Sequence, residues 1–203
     1  MTFLSIFTVL GLLISSVGFP TLFIISFLIT RLRLGEIPPH RHDLTIIIIA
    51  TLCIIWVILC FYCVLDPTII TFFGELSLLK NIWIEIVALL FCLSGFLILM
   101  AAFFEMGNSF RMGIPPEEET PAALITTGIF KYIRNPGFLG VNLAVLGTFF
   151  LVPSILFCIL VVLSLISFHI QIKKEEVYLQ RMHGDLYRRY IQQTGRYFPK
   201  LFK

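Results

Sequence analysis

The sequence predicts an all-α protein, a polytopic transmembrane helical bundle of about five spans. Hydrophobic residues make up 58% of the 203 residues and charged residues only 13%, whereas charged residues make up about a quarter of an average soluble domain. The mean hydropathy is +0.97. The apolar residues also form long uncharged runs, and about 20 such residues are needed to cross the hydrocarbon core of a bilayer. This composition excludes a water-soluble globule.

The first three predicted spans cover residues 3–30, 44–65 and 82–104. The first span is longer than the hydrocarbon core requires, and Gly18 and Pro20 predict a kink or a tilt in its second half. No Lys or Arg precedes this run, so we expect it to remain as a span rather than to be removed as a signal peptide.

The last two predicted spans are shorter and cover residues 137–151 and 154–170. Pro153 lies between them and predicts a turn. We therefore expect a tight helical hairpin, with a cytoplasmic cofactor pocket in this C-terminal half. The whole chain, 1–203, is predicted to be a single membrane domain, with N-terminal spans in 1–104 and a catalytic region in 105–203.

Basic residues are concentrated in alternate connections, and cytoplasmic loops carry an excess of Lys and Arg. The connection at 66–81 carries only Lys80, which places it outside. The C-terminus is therefore predicted to be cytoplasmic and the N-terminus external. The Ile- and Phe-rich composition favours a prokaryotic plasma membrane, although the endoplasmic reticulum also fits. The basic residues of the inner connections and the tail include Arg31, Arg33, Arg41, Arg111, Lys131, Arg134, Lys173, Lys174, Arg181, Arg188 and Arg189.

The composition gives no indication of a nucleic-acid partner, because the formal net charge is only +3 and no basic stripe with interleaved aromatic residues is present. The five cysteines all lie in apolar runs, where a thiol behaves as a small hydrophobic group. A structural zinc site needs four Cys or His ligands, so no metal is expected. The oligomeric state cannot be read from the sequence.

The first candidate site is the segment TTGIFKYIRNPGFLG at 126–140, where a polar stretch re-enters the membrane. Asn135 is suited to an N-cap and Pro136 to the first position of a helix. A helix N-terminus beside Arg134 is an anion-binding site for a carboxylate or a phosphate. Alternatively, Lys131 and Arg134 are only positive anchors at the membrane surface.

The second candidate is the pair Glu175 and Glu176, which directly follows the last span. A carboxylate beside an anion site would suit a zwitterionic amino-acid group. The alternative is an exposed helix on which Lys173 and Lys174 form weak surface ion pairs with these glutamates.

Three further residues are less clear. His169 and His183 could act as bases, but an isolated histidine is also common as a hydrogen-bonded structural residue. Glu85 lies inside the third span, where a carboxylate is costly and often functional, and we leave it unassigned.

The segments MGNSFRMGIPPEEETPAALITTG, GIFKYIRNPGFLG and EEVYLQRMHGDLYRRYIQQTGRYFP occur in this order on either side of the predicted hairpin. Together they resemble the isoprenylcysteine carboxyl methyltransferase family and its prokaryotic relatives. The resemblance covers roughly residues 106–199.

The resemblance implies that S-adenosylmethionine binds near the last two spans. Arg134 and Asn135 become the candidate catalytic residues, and Arg111 and Gln171 the candidate substrate residues. Eukaryotic members have His where this chain has Asn135, Tyr where it has Phe138 and Arg where it has Gln171. The implied cofactor contacts are Leu124, Ile125, Phe130, Arg134, Asn135, Pro136, Gly137, Phe138 and Glu175.

We therefore predict an integral membrane methyltransferase that acts on a lipophilic, prenylated or lipid-linked acceptor among membrane lipids. A carboxyl acceptor is favoured, because an ionised carboxylate is already a nucleophile at neutral pH, whereas an alkyl ammonium must first lose a proton to a base. The alternatives are a phospholipid or amine N-methyltransferase, an NADPH-dependent enzyme similar to sterol reductases, and a non-catalytic membrane protein.

Overall fold

The computed structural model describes residues 4–25, 44–107 and 123–200. These residues form five long helices and, apart from two isolated bridges, no β-structure, so the predicted all-α class is confirmed. Short helical turns lie at Ile69–Phe72, Ser77–Leu79 and Gly128–Lys131. The long helices are α1 (Ile6–Ile25), α2 (Leu44–Leu65), α3 (Ile82–Met106), α4 (Pro136–Leu151) and α5 (Ile155–Gln193).

Four of the five helices, α1, α2, α3 and α5, are long and apolar enough to cross a membrane. Helix α4 has 16 residues and is about 24 Å long, shorter than the hydrocarbon core of about 30 Å. Helix α5 covers 39 residues with a kink at Gly184, where φ is 50°, and it is more than twice as long as the predicted span. Its apolar part ends at Ile172, and a polar continuation begins at Lys173.

Helix α1 contains a π-helical segment at Ile14–Gly18, immediately before the predicted kink at Pro20. A π-helical turn widens the helix locally and shifts the side chains that follow. Ser15, in this segment, is completely buried, and its hydroxyl lies 3.0 Å from the Thr148 hydroxyl of α4. This hydrogen bond links the first and fourth helices inside the bundle.

Helices α3 and α4 approach each other at glycines. A Cβ atom added to Gly95 would lie 2.5 Å from the carbonyl oxygen of Gly140, and one added to Gly147 would lie 2.7 Å from the carbonyl oxygen of Ala88. Small residues allow such close helix packing in membranes. Helix α4 consequently packs more extensively on α3 than on α5, so the predicted hairpin of α4 and α5 is present as a turn but is not the main packing pair.

Helix α5 packs against both α2 and α4. Near the start of its polar part, the Lys174 ammonium donates to the Thr45 hydroxyl at the beginning of α2, at 2.6 Å. The beginnings of α2 and α4 and the middle of α5 therefore lie at the same end of the bundle. We call this end the site end.

Candidate functional site

The first turn of α4 has no side-chain cap. Asn135 occupies the N-cap position and Pro136 the first helical position, as predicted, but the Asn135 side chain makes no capping hydrogen bond to the helix. Its amide instead donates to the carbonyl oxygen of Arg196, at 3.4 Å. The backbone N–H groups of Gly137 and Phe138, which lie at the positive end of the helix dipole, therefore receive no side-chain cap from Asn135.

Helix α5 brings its candidate residues to the level of this turn. The rings of Phe138 and Phe168 are in contact, with centroids 5.5 Å apart. Gln171 follows Phe168 by three residues, which places it on the same face and one turn nearer the site end. Gln171 is therefore level with the beginning of α4, and Glu175 lies one further turn along.

Gln171 and Glu175 form a hydrogen-bonded pair. Gln171 is only 2% exposed, and its Nε2 donates to Glu175 Oε1 at 3.0 Å. Among the described residues, the other amide atom, Gln171 Oε1, is buried without a hydrogen-bond partner. Burial raises the pKa of the Glu175 carboxyl to about 7. Glu175 as a residue nevertheless remains partly exposed.

Glu176 has different surroundings, although it is the next residue. Arg134 Nε and Arg196 Nε both donate to Glu176 Oε1 at 3.1 Å. Burial opposes the ionisation of Glu176, but the hydrogen bond from Arg196 and the charges of Arg134 and Arg196 hold its pKa below the usual value. The alternative of an exposed glutamate paired with neighbouring lysines is therefore wrong for Glu176.

Arg134 is directed into the protein. Besides Glu176, its guanidinium donates to the carbonyl oxygens of Ile191, at 3.4 Å, and Thr194. These carbonyls lie at the end of α5, where a cation also interacts favourably with the helix dipole. In contrast, Lys131 is exposed and lies over the Tyr132 ring, which agrees with the alternative of a surface anchor.

The chain after α5 folds over the beginning of α4. The N–H of Arg134 donates to Gly195 O at 2.9 Å, and the N–H of Gly195 donates to Tyr132 O at 3.3 Å. Nearby, His169 Nδ1 and the Tyr197 hydroxyl are 2.7 Å apart. Sequence reasoning did not single out Thr194, Arg196 or Tyr197. All three lie in the matched segment TGRYFP, and Arg196 also belongs to the basic residues of the predicted cytoplasmic tail, but neither signal says anything about their contacts.

The other predicted residues are placed as follows. The Phe130 carbonyl accepts a hydrogen bond from the Tyr190 hydroxyl at 2.7 Å, which ties the turn before α4 to α5. Leu124 and Ile125 are partly buried in the extended segment that leads into this turn. Arg111 lies outside the described residues. Within the described ranges, no group of three or more His, Cys, Asp or Glu could hold a metal ion.

Comparison with known proteins identifies relatives among membrane methyltransferases. Residues 83–186 match the model of the phospholipid methyltransferase family. The chain is 33% identical over 100 residues to a protein-S-isoprenylcysteine O-methyltransferase of Schizosaccharomyces pombe, a match that covers 49% of this chain and 42% of that protein.

A solved structure shares the fold. It is that of a eukaryotic intramembrane Ras methyltransferase, isoprenylcysteine carboxyl methyltransferase, with a TM-score of 0.57 and 24% sequence identity. The similarity covers 79% of this chain and 54% of the solved chain. The chain thus spans about half the length of the relatives it matches. Because the family match extends over slightly more than half of the 203 residues, this chain belongs to the phospholipid methyltransferase family.

Proposed function

We propose that this protein is an S-adenosylmethionine-dependent methyltransferase whose cofactor binds at the site end. The observation that carries the proposal is that a group favouring an anion and a pair favouring a cation lie at the same height in the bundle. The uncapped N-terminus of α4 favours an anion, and the Gln171–Glu175 pair offers acceptors to a cation. An amino acid carries both charges, as does the methionine moiety of this cofactor.

The residues have distinct roles in this proposal. The N–H groups of Gly137 and Phe138 would hold the cofactor carboxylate, while Glu175 would hold its ammonium. Phe130, Leu124 and Ile125 would provide apolar contacts. When bound, the cofactor supplies an electrophilic methyl group on its sulfonium. The protein would contribute mainly by positioning the reactants and excluding water.

Arg134 and Asn135, predicted as catalytic residues, fit a positioning role better. The Arg134 guanidinium is engaged by Glu176 and by the end of α5, and the Asn135 amide holds the chain at Arg196. Both residues thereby fix the path of the backbone into α4. Their effect on the reaction would be exerted through the N–H groups of the first turn.

We propose a lipophilic acceptor with a carboxyl group, similar to isoprenylcysteine. The resemblance of the C-terminal half and the name of the S. pombe relative support this class. Amine methylation is the second candidate, because the matching family is described as phospholipid methyltransferases. The acceptor would enter from the bilayer, and the cofactor from the cytoplasm of a prokaryotic cell.

Ligand-dependent stability tests the proposed cofactor. S-Adenosylhomocysteine should raise the unfolding temperature of the detergent-solubilised protein, because a ligand at 100 times its Kd stabilises the native state by about 2.7 kcal/mol. NADPH is the control and should have no effect. Stabilisation by NADPH alone would contradict the proposal and favour a reductase.

The labelled product tests the acceptor. After incubation with methyl-labelled cofactor and a membrane extract, a methyl ester should release volatile methanol in mild alkali. An N-methyl group would not. Label that stays non-volatile after alkali would exclude the carboxyl acceptor and favour a phospholipid amine.

A further inference from the structure

We propose that Gln171 is a cation-binding residue, whose carbonyl oxygen Oε1 accepts a hydrogen bond from a primary ammonium group that Glu175 binds at the same time. This inference rests on the proposed function and deepens it. It changes the role of Gln171, which was predicted from the resemblance to be a substrate residue at a position where relatives carry an arginine.

The orientation of the amide supports this assignment. An ionised carboxylate only accepts hydrogen bonds, so the Gln171 group that faces Glu175 must be the Nε2 donor, as found at 3.0 Å. Oε1 is then on the other edge of the amide. Gln171 lies on the buried face of α5 together with Phe168, so this oxygen is held inside the bundle rather than in solvent.

The unpaired oxygen indicates a missing donor. Buried polar atoms are almost always hydrogen-bonded, and an unsatisfied one costs about 1–3 kcal/mol. Gln171 Oε1 is buried without a partner among the described residues, although α5 is otherwise well packed here and Ile172 is completely buried. A bound ligand with an N–H group would satisfy it.

The neighbouring charge indicates that the donor is a cation. Glu176 is neutralised by Arg134 and Arg196, whereas Glu175 receives a hydrogen bond from a neutral amide. Glu175 and Gln171 Oε1 both present acceptors, so together they suit a group that has several donors and a positive charge. A primary ammonium has three donors and no acceptor.

Two molecules in the proposed reaction could provide this ammonium. One is the methyl donor, through its amino-acid moiety, and the other is a lipid acceptor with an amine head group. The shared chemistry is a primary ammonium, and the two sources can be separated by titrating them independently.

The first arm uses isothermal titration of the detergent-solubilised protein with S-adenosylhomocysteine and with its deaminated analogue. The wild type should prefer the amino compound, and Gln171→Met and Glu175→Gln should each reduce this preference about tenfold, as expected for a hydrogen bond to a charged group. Affinity for the deaminated analogue should be unchanged. Gln180→Met, on the exposed face of the same helix, is the control and should behave like the wild type.

The second arm titrates phosphatidylethanolamine into the S-adenosylhomocysteine complex, with phosphatidylcholine as the lipid that lacks a primary ammonium. A preference for phosphatidylethanolamine that both variants lose would support the proposal with the acceptor as the source. If Gln171→Met keeps the wild-type preferences in both arms, the proposal is overturned, even where Glu175→Gln loses them. Failure of wild-type protein to bind S-adenosylhomocysteine at all would instead refute the proposed function. If Gln171→Met does not fold, Gln171→Asn takes its place, because it keeps an amide but shortens the side chain by one methylene and so withdraws the carbonyl oxygen from the ligand.

Discussion

Glu175 and Glu176 are adjacent residues with opposite surroundings. Successive residues of a helix point about 100° apart, so Glu175 faces Gln171 while Glu176 faces two arginines. One carboxylate is paired only with an uncharged amide among the described contacts, and the other joins α5 to the beginning of α4 and to the tail. Substitutions at the two positions should therefore affect different properties.

Glu176→Gln should lower the stability of the ligand-free protein by about 3 kcal/mol, because it leaves the largely buried Arg134 without its ionic partner. Thermal unfolding in detergent measures the change. Glu175→Gln is the matched comparison and should not destabilise the protein, although it should weaken cofactor binding. Arg134→Ala should reduce both stability and binding. Equal stability of all three variants would contradict the structural role of Glu176.

The affinity for S-adenosylhomocysteine should depend on pH through Glu175. Its pKa in the folded protein is about 7, and the protonated carboxyl cannot attract an ammonium, so affinity should fall about tenfold per pH unit below that value. Titrations between pH 5.5 and 8 measure this slope. Glu175→Gln should remove the slope, and a wild-type affinity that is constant across this range would contradict the assignment.

The same pKa has an opposite consequence for stability. Between about pH 4.5 and 7, the folded state retains the Glu175 proton and the unfolded state has lost it. The contribution of Glu175 to the free energy of unfolding therefore decreases as the pH rises through this window. This is typical of a residue whose charged form is kept for a ligand.

At the scale of the element, helix α4 is positioned by its contact with α3. Gly140→Val should destabilise the protein by about 1–3 kcal/mol, because a Cβ at this position would lie 2.7 Å from the carbonyl oxygen of Gly95. Gly137→Ala is the control for stability without ligand, since its Cβ would meet only Leu99 Cδ1, at 3.8 Å. Similar unfolding temperatures for the two variants would argue against the close α3–α4 approach.

The segment after α5 is the second element that shapes the site. A chain that ends at Gln193 would lose the bond from the Arg134 N–H to Gly195 and the pairing of Arg196 with Glu176. We expect such a truncation to weaken binding of S-adenosylhomocysteine, measured by titration, because the beginning of α4 loses its cover. Arg196→Gln should give a smaller loss in the same direction. Unchanged affinity in the truncated protein would exclude a role for the tail.

At the scale of the whole molecule, the arrangement of basic residues predicts an external N-terminus and a cytoplasmic C-terminus. Reporter fusions after Lys203 and within 68–75 should therefore report opposite sides of the membrane. The same side for both fusions would contradict the predicted topology. The shortness of α4 does not change this prediction, because α4 still connects the two ends of the bundle.

The sequence by itself determined the helical class, the positions of the long apolar helices and the first residue of α4. These features depend on composition and on neighbours along the chain: a run of apolar residues, or a proline after an asparagine. The sequence also determined the family resemblance, because the matched segments lie in a fixed order along the chain.

Only the tertiary structure decided which side chains meet. Arg134 and Glu176 are 42 residues apart, and Asn135 and Arg196 are 61 apart, so no local pattern relates them. The choice between Glu175 and Glu176 as the partner of Arg134 depends on the rotation of α5 about its axis. That rotation is set by the packing of α5 against α2 and α4. The position of α4 along the bundle axis is set by its glycine contacts with α3. Both depend on packing energies between segments that are distant along the chain, and these energies cannot be read from a single sequence.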